Sequence, residues 1–336
     1  MSTFNKIKIS FMVSAVSTVF AAALKTLAMF FEFDREIGYF NHNAPINLAA
    51  NIFTVVAVLF FIAFSFLFKK REIFPVINYS SSLFRFFSST SGCFMLVYAY
   101  VKWQEYLSSK ELFSNVSEKK VNFLFATAIL AAVSGFALMV YAFGKNEKNN
   151  PMRSFLAVCP AGVALLRAIE IQFDGDIEMN DPMKISLQLA SLALILGIVY
   201  TAKCEFDIHE TTPHMRLITL MVTPVVVLSF AIPTIICYYT KVNALFTYLV
   251  DAILYLSLCG FVVFSYTPCK KAKEICDEKW NEYDEKVAEL NKKDTDEEDS
   301  LSSSESSEEA DDVQANTDEQ NASDENAVND EESENE

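Results

Sequence analysis

Eight runs of about 20 apolar residues set the limits on what this chain can become, at approximately 9–33, 46–68, 83–103, 121–144, 154–173, 184–203, 216–239 and 244–266. A helix rises ~1.5 Å per residue, so each run is long enough to cross a hydrocarbon layer ~30 Å thick. The fold class that follows is all-α: a polytopic helical membrane protein with eight transmembrane helices. Thirty phenylalanines suit a lipid-facing surface. The first run exceeds the usual apolar core of a signal peptide and a second run follows closely, so it reads as a retained span.

Length alone would have pointed to two soluble domains, at roughly 150 residues each. The charge distribution points elsewhere. Residues 294–336 hold 19 of the 43 acidic residues and none of the 27 basic ones, so the net charge of −16 belongs to this tail and the rest of the chain carries +3. With the amino terminus inside, the inner segments hold 14 Lys and Arg, Arg216 among them. The outer segments hold seven, including Lys102 and Lys184. This bias puts both termini in the cytoplasm. Cys93, Cys159, Cys237 and Cys259 fall within spans and Cys204, Cys269 and Cys276 on the cytoplasmic side, which leaves no outer pair for a disulfide. No C-x-x-C or Cys/His spacing for a structural zinc is present.

The spans fall into two halves that echo each other. Lys25 is followed by Phe33-Asp34 and by "NLAAN" from Asn47; Arg167 is followed by Phe173-Asp174 and by "QLASL" from Gln188. Later, "KVNFLF" at Lys120 parallels "KVNALF" at Lys241. The reading is a transmembrane domain over 1–268 built from four-span repeats, 1–144 and 153–268, related by an axis along the membrane normal. Chance likeness among apolar strings is the competing reading.

Between spans 1 and 2 the stretch Asp34-Arg35-Glu36-Ile37-Gly38-Tyr39-Phe40 reverses the chain through polar residues and a glycine. It resembles the D-P-x-T-G-F-F turn of an uncharacterised family of multi-span membrane proteins from clostridia and related bacteria, with Arg35 in place of the proline and Ile37 in place of the threonine. The resemblance implies an address in the bacterial plasma membrane and carries no established activity.

Four charges stand inside apolar runs. Lys25 lies roughly 12 Å from the outer end of its span and Asp251 at a similar depth, while Arg167 and Glu170 sit three residues apart near the outer end of span 5. An ionised group near a span's centre costs about 2.5–3.5 kcal/mol, so the four together rival the net stability of a domain unless they pair or meet water. Two basic and two acidic residues permit a neutral cluster or an outward-facing vestibule between the halves. Against this, Lys25 and Arg167 have stems long enough to snorkel outward, and Arg167 with Glu170 makes an ordinary intrahelical pair. Asp251 is too short to snorkel and is the sharpest candidate. Pro160, Pro224 and Pro233 are candidate helix-break positions, where freed carbonyls could line a midplane site or simply kink a packed helix.

No catalytic motif is recognisable. His42, His209 and His214 form no H-E-x-x-H, and there is no phosphate-binding glycine loop or G-x-S-x-G elbow. No catalytic, cofactor or metal residue is nominated, and the chain is expected not to be an enzyme. After span 8, Cys276, Trp280, Tyr283, Val287 and Leu290 make one apolar stripe, predicting an amphipathic cytoplasmic helix over 269–293. Residues 294–336 read as a disordered acidic tail, which disfavours nucleic acid as a partner. Two functions remain. One is binding or moving a small solute or ion at the polar site; the other is a scaffold or sensor that engages a cytoplasmic protein through 269–336.

Overall fold

The computed structural model describes residues 3–34, 39–41, 43–69, 73, 77, 79, 81–111, 118–143, 151–173, 181–204, 213–240, 246–266, 274, 277–278 and 280–289. These are nearly all helical. Eight long helices follow in order: α1 (Thr3–Phe31), α2 (Pro45–Ser65), α3 (Ser82–Glu111), α4 (Glu118–Ala142), α5 (Pro151–Gln172), α6 (Pro182–Lys203), α7 (Pro213–Tyr239) and α8 (Phe246–Phe264). Each apolar run of the sequence has become one of them. Six contain stretches long and apolar enough to cross a membrane by length and composition: α1, α2, α4, α5, α6 and α7. Helix α3 falls short because Arg85 and the run Ser88-Ser89-Thr90-Ser91-Gly92 dilute its apolar stretch, and the described apolar part of α8, Tyr248–Phe264, is shorter.

Helix starts follow local chemistry. Four of the eight helices begin with proline, whose missing N–H is not needed in the first turn and whose φ already suits a helix. At α2 the carboxylate of Glu32 reaches across to accept from the backbone N–H groups of Ile46 (2.8 Å) and Asn47 (2.7 Å). At α6 the Asp181 side chain accepts from Met183 N–H at 2.7 Å. Both place a negative group on amides that have no partner within the helix. Between α1 and α2 the chain returns through a two-residue antiparallel ribbon, β1 (Phe33–Asp34) on β2 (Tyr39–Phe40), with Phe33 opposite Phe40 and their rings edge to face at 5.3 Å.

Helix α7 holds the core together. It packs against α1, α2, α6 and α8, while α3 packs against α4 and α8, and α5 against α4 and α6. Its inward side buries Leu217, Met221, Val225 and Phe230. The outer faces are as apolar as the core: Val16 and Val19 on α1, Leu59 on α2, Phe136 on α4 and Leu189 on α6 are all exposed. Apolar area of this extent destabilises a chain in water and is at home in a bilayer.

Pro160, Pro224 and Pro233 do not end their helices; α5 and α7 run through them. Beside Pro224, the Ser14 hydroxyl of α1 donates to the carbonyl of Met221 at 2.9 Å. Near Pro233, Thr234 donates to the carbonyl of Phe230 at 2.7 Å. Near Pro224 and Pro233 hydroxyls thus serve carbonyls next to those the prolines free, Leu220 and Ser229, one of the ways apolar helices tolerate the residue.

The chain divides into two compact units, Met1–Tyr283 and Asp284–Glu336. In the first, the Trp280 side chain of the expected amphipathic stripe packs against the hydrophobic core. In the second, residues 284–289 are helical. Cys276, Leu290 and the tail 294–336 lie outside the described residues, as do His42, His209 and residues 35–38 of the hairpin.

Candidate functional site

Three of the four nominated charges meet. Near the end of α5, Arg167 directs Nε and Nη2 to a single oxygen of Asp251 on α8, Oδ2, at 2.9 and 2.8 Å. Its Nη1 pairs with Glu170 Oε2 one turn further along α5 at 3.0 Å. Glu170 then turns its other oxygen to Lys102 of α3 at 3.2 Å, and Lys102 also bonds Glu105 at 2.8 Å. The chain of charges from Asp251 to Glu105 therefore ties three helices together. Arg167 is 3% exposed, Lys102 1% and Asp251 0%, so apart from Glu105 the network is closed to solvent. At such depth each ion depends on its partner, because losing one leaves an uncompensated charge in a medium of low dielectric.

Not every polar atom here is paired. Asp251 Oδ1 and the Tyr98 hydroxyl are buried without a hydrogen-bond partner among the described residues, and Glu170 Oε2 has there only its ion pair with Arg167. The Tyr98 ring lies against the Lys102 ammonium, 5.8 Å from nitrogen to centroid. On the α6 side, Ser191 and Tyr255 share a hydrogen bond of 2.6 Å. Phenolic oxygens therefore share the interior with two cations and two acids, Arg167 and Lys102 with Asp251 and Glu170.

Lys25 stands apart. Its ammonium donates to Oδ1 of Asn47 (2.8 Å) and of Asn51 (3.1 Å) on α2 and sits over the Phe40 ring at 5.1 Å. It lines a cleft of about 440 Å³ bounded by the hairpin strand β2 and by α1, α2, α6 and α7. The sequence reading joined Lys25 to the other three charges; the fold gives it a separate place, because α1 and α2 pack on α7 whereas the network lies among α3, α5 and α8.

No protein-family model, curated protein or solved structure matches this chain.

Three further cations that the sequence alone places in the connections are interior. Lys102 was counted as an outer charge because the apolar run ends at 103, but α3 continues to Glu111 and carries it inside. A signal was present: Lys102 and Glu105 repeat the basic-x-x-acidic spacing of Arg167 and Glu170. Arg216 is 2% exposed near the start of α7 and donates to the Gly197 carbonyl and to the hydroxyls of Thr201 and Ser265. It has no acidic partner among the described residues. Its counter-charge comes from where it sits, beside the last turns of α6 and α8, whose carbonyl ends carry partial negative charge. Lys184 is buried too, its ammonium 3.4 Å from the Gln172 carbonyl. His214 reaches the Ser65 carbonyl at 3.1 Å and stacks on Phe66. Among the described residues no group of three His, Cys, Asp or Glu side chains could hold a metal ion.

Proposed function

We propose that this chain is a non-enzymatic integral protein of the bacterial plasma membrane. It crosses the bilayer eight times with both ends in the cytoplasm, and it binds or moves a small cation, the proton being the smallest, at the α3–α5–α8 network. The observation that carries this reading is the unpaired, buried Asp251 Oδ1 beside a chain of three acids and two bases. With every group ionised the closed part of the network, Arg167 and Lys102 with Asp251 and Glu170, is neutral and the further negative charge of Glu105 faces solvent, so it is the bare carboxylate oxygen with a phenolic hydroxyl nearby that supplies the chemistry to take up a small cation. Buried acids inside spans are the usual sites of proton and ion relays.

The topology rests on the basic residues. With the interior Lys102, Lys184 and Arg216 set aside, 13 inner Lys and Arg stand against five outer ones, so the bias no longer depends on misplaced charges. The hairpin resemblance supports the bacterial address. The two four-span halves are read as repeats from the sequence echoes of their first hairpins; Asn47 and Gln188 occupy equivalent positions and each bonds the preceding helix, to Lys25 and to Gln172, while Arg167, the counterpart of Lys25, turns to Asp251.

The test is flux in proteoliposomes of the full chain loaded with a pH-sensitive dye and exposed to imposed proton, sodium and potassium gradients. A cation-dependent signal that Asp251→Asn abolishes is the expected result. Silence across all three gradients removes the transport reading. The rival scaffold reading is favoured by Trp280, whose packing on the core could link the cytoplasmic end to the spans. Loss of a co-purifying protein on deletion of 269–336, together with silent liposomes, selects it.

A further inference from the structure

We infer that the Lys25 cleft is a binding site for an anionic lipid: an anionic head, carboxylate or phosphate, carried on an acyl chain and taken from the surrounding bilayer. This rests on the membrane reading above but not on the charge network. The polar end of the cleft is built for an anion. Lys25 has no acidic partner among the described residues; its neighbours are two amide oxygens and an aromatic face. Because Asn47 and Asn51 both turn their carbonyl oxygens toward the ammonium, their N–H₂ groups point away from it and make no hydrogen bond among the described residues. Glu32, which lies in the same corner, is occupied by the backbone amides of Ile46 and Asn47. One ammonium thus stands with no acidic partner among the described residues, the two amides beside it leave their N–H₂ donors unused there, and charge-assisted bonds from the ammonium to a head-group oxygen fit that corner.

The rest of the cleft selects for a tail. Its other walls include Val55, Ile185, Leu189 and Val226, and the first three of these belong to the exposed outer faces of α2 and α6. An occupant is therefore in contact with lipid along one side and with Lys25 at its head. A water-soluble anion would leave those apolar walls uncovered, and a neutral lipid would leave the ammonium unpaired. An acyl-chain anion satisfies both ends.

The experiment is native mass spectrometry of the full chain in non-ionic detergent, scoring retained adducts of phosphatidylglycerol against phosphatidylcholine, of oleate against methyl oleate, and competition by glycerol phosphate. The expected result is preferential retention of the anionic member of at least one pair. Lys25→Gln should weaken it about tenfold, the scale of losing one charge-assisted hydrogen bond, and Lys25→Arg should keep it. Which pair discriminates more identifies phospholipid or free acid as the source. Val55→Trp fills the lipid-side wall without touching the polar end and should also expel the adduct, so the inference stays testable should Lys25→Gln fail to fold. Equal retention of charged and neutral members, full retention by Lys25→Gln, or displacement by glycerol phosphate alone would overturn it. Because retention is read in detergent, it can fail while flux succeeds, and the reverse.

Discussion

The Arg167 side chain decides whether Asp251 is an asset or a burden. Both guanidinium donors converge on one Asp251 oxygen, and a third nitrogen holds Glu170. Removing the aspartate leaves Arg167 only Glu170, an acid it shares with Lys102. Asp251→Leu should therefore cost about 3–5 kcal/mol, the range for orphaning a buried charge. Arg167→Met combined with Asp251→Leu removes both charges and leaves Lys102, Glu170 and Glu105 still paired, so the double variant should recover most of that loss. Thermal unfolding of the detergent-solubilised variants measures this, and a double variant as unstable as the single would show that the pair's packing, rather than its charge, is what matters. At this scale the sequence was half legible. Asp251, Arg167 and Glu170 were identifiable because they interrupt apolar runs, where an ion must find a partner. Lys102 was not, because it stands at the edge of its run and only the continuation of α3 past residue 103 reveals it as interior. Arg216 was hidden for a different reason: its compensation comes from backbone carbonyls, which no side-chain pattern records.

Helices α3 and α4 meet through their smallest residues. A Cβ on Gly92 would lie 2.9 Å from the Gly135 carbonyl, and one on Gly135 would lie 3.0 Å from the Gly92 carbonyl, so the two backbones touch where both side chains are absent. Beside this contact Ser88 donates to the Leu138 carbonyl at 2.6 Å. Close approach at small residues is how apolar helices associate when lipid removes the hydrophobic incentive. Gly92→Val must push against the Gly135 carbonyl as well as the Met139 side chain, and the carbonyl cannot swing aside. It should cost at least the ~1–3 kcal/mol of ordinary overpacking, seen as a lowered melting temperature of the purified protein. Gly162→Ala is the contrast, since its added Cβ meets the movable end of Leu130 and should be tolerated better. The apolar runs located all eight helices, and initial prolines marked four of their starts. Which helix packs on which could not be read from them, because runs that are apolar on every side carry no face.

For the molecule as a whole, the question with most leverage is whether α3 crosses the bilayer, since six helices satisfy length and composition and α3 does not. Its contacts set it alongside α4: Ser88 meets Leu138, Gly92 meets Gly135, and Trp103 meets Phe125. From residue 88 to residue 103 is roughly 22 Å of helix, so α3 runs antiparallel beside α4 through most of a hydrocarbon thickness. Its charges do not obstruct this, because Arg85 lies near one end and donates to the Tyr79 carbonyl while Lys102 is neutralised by Glu105 and Glu170. Helix α8 is held to the same depth by Phe87 stacking on Phe264 at one end and Arg167 on Asp251 at the other. Even counts of six or eight both return the carboxyl terminus to the side of the amino terminus, so fusions at the two ends cannot separate them. The segment 112–117 can. Eight crossings put it on the face opposite both termini, whereas a version in which α3 and α8 fail to cross puts it on the same face. With the native cysteines replaced, Ser114→Cys should react with a membrane-impermeant maleimide added to intact cells. Labelling only after the cells are broken open would leave α3 on the cytoplasmic side and would overturn the eight-crossing arrangement proposed above.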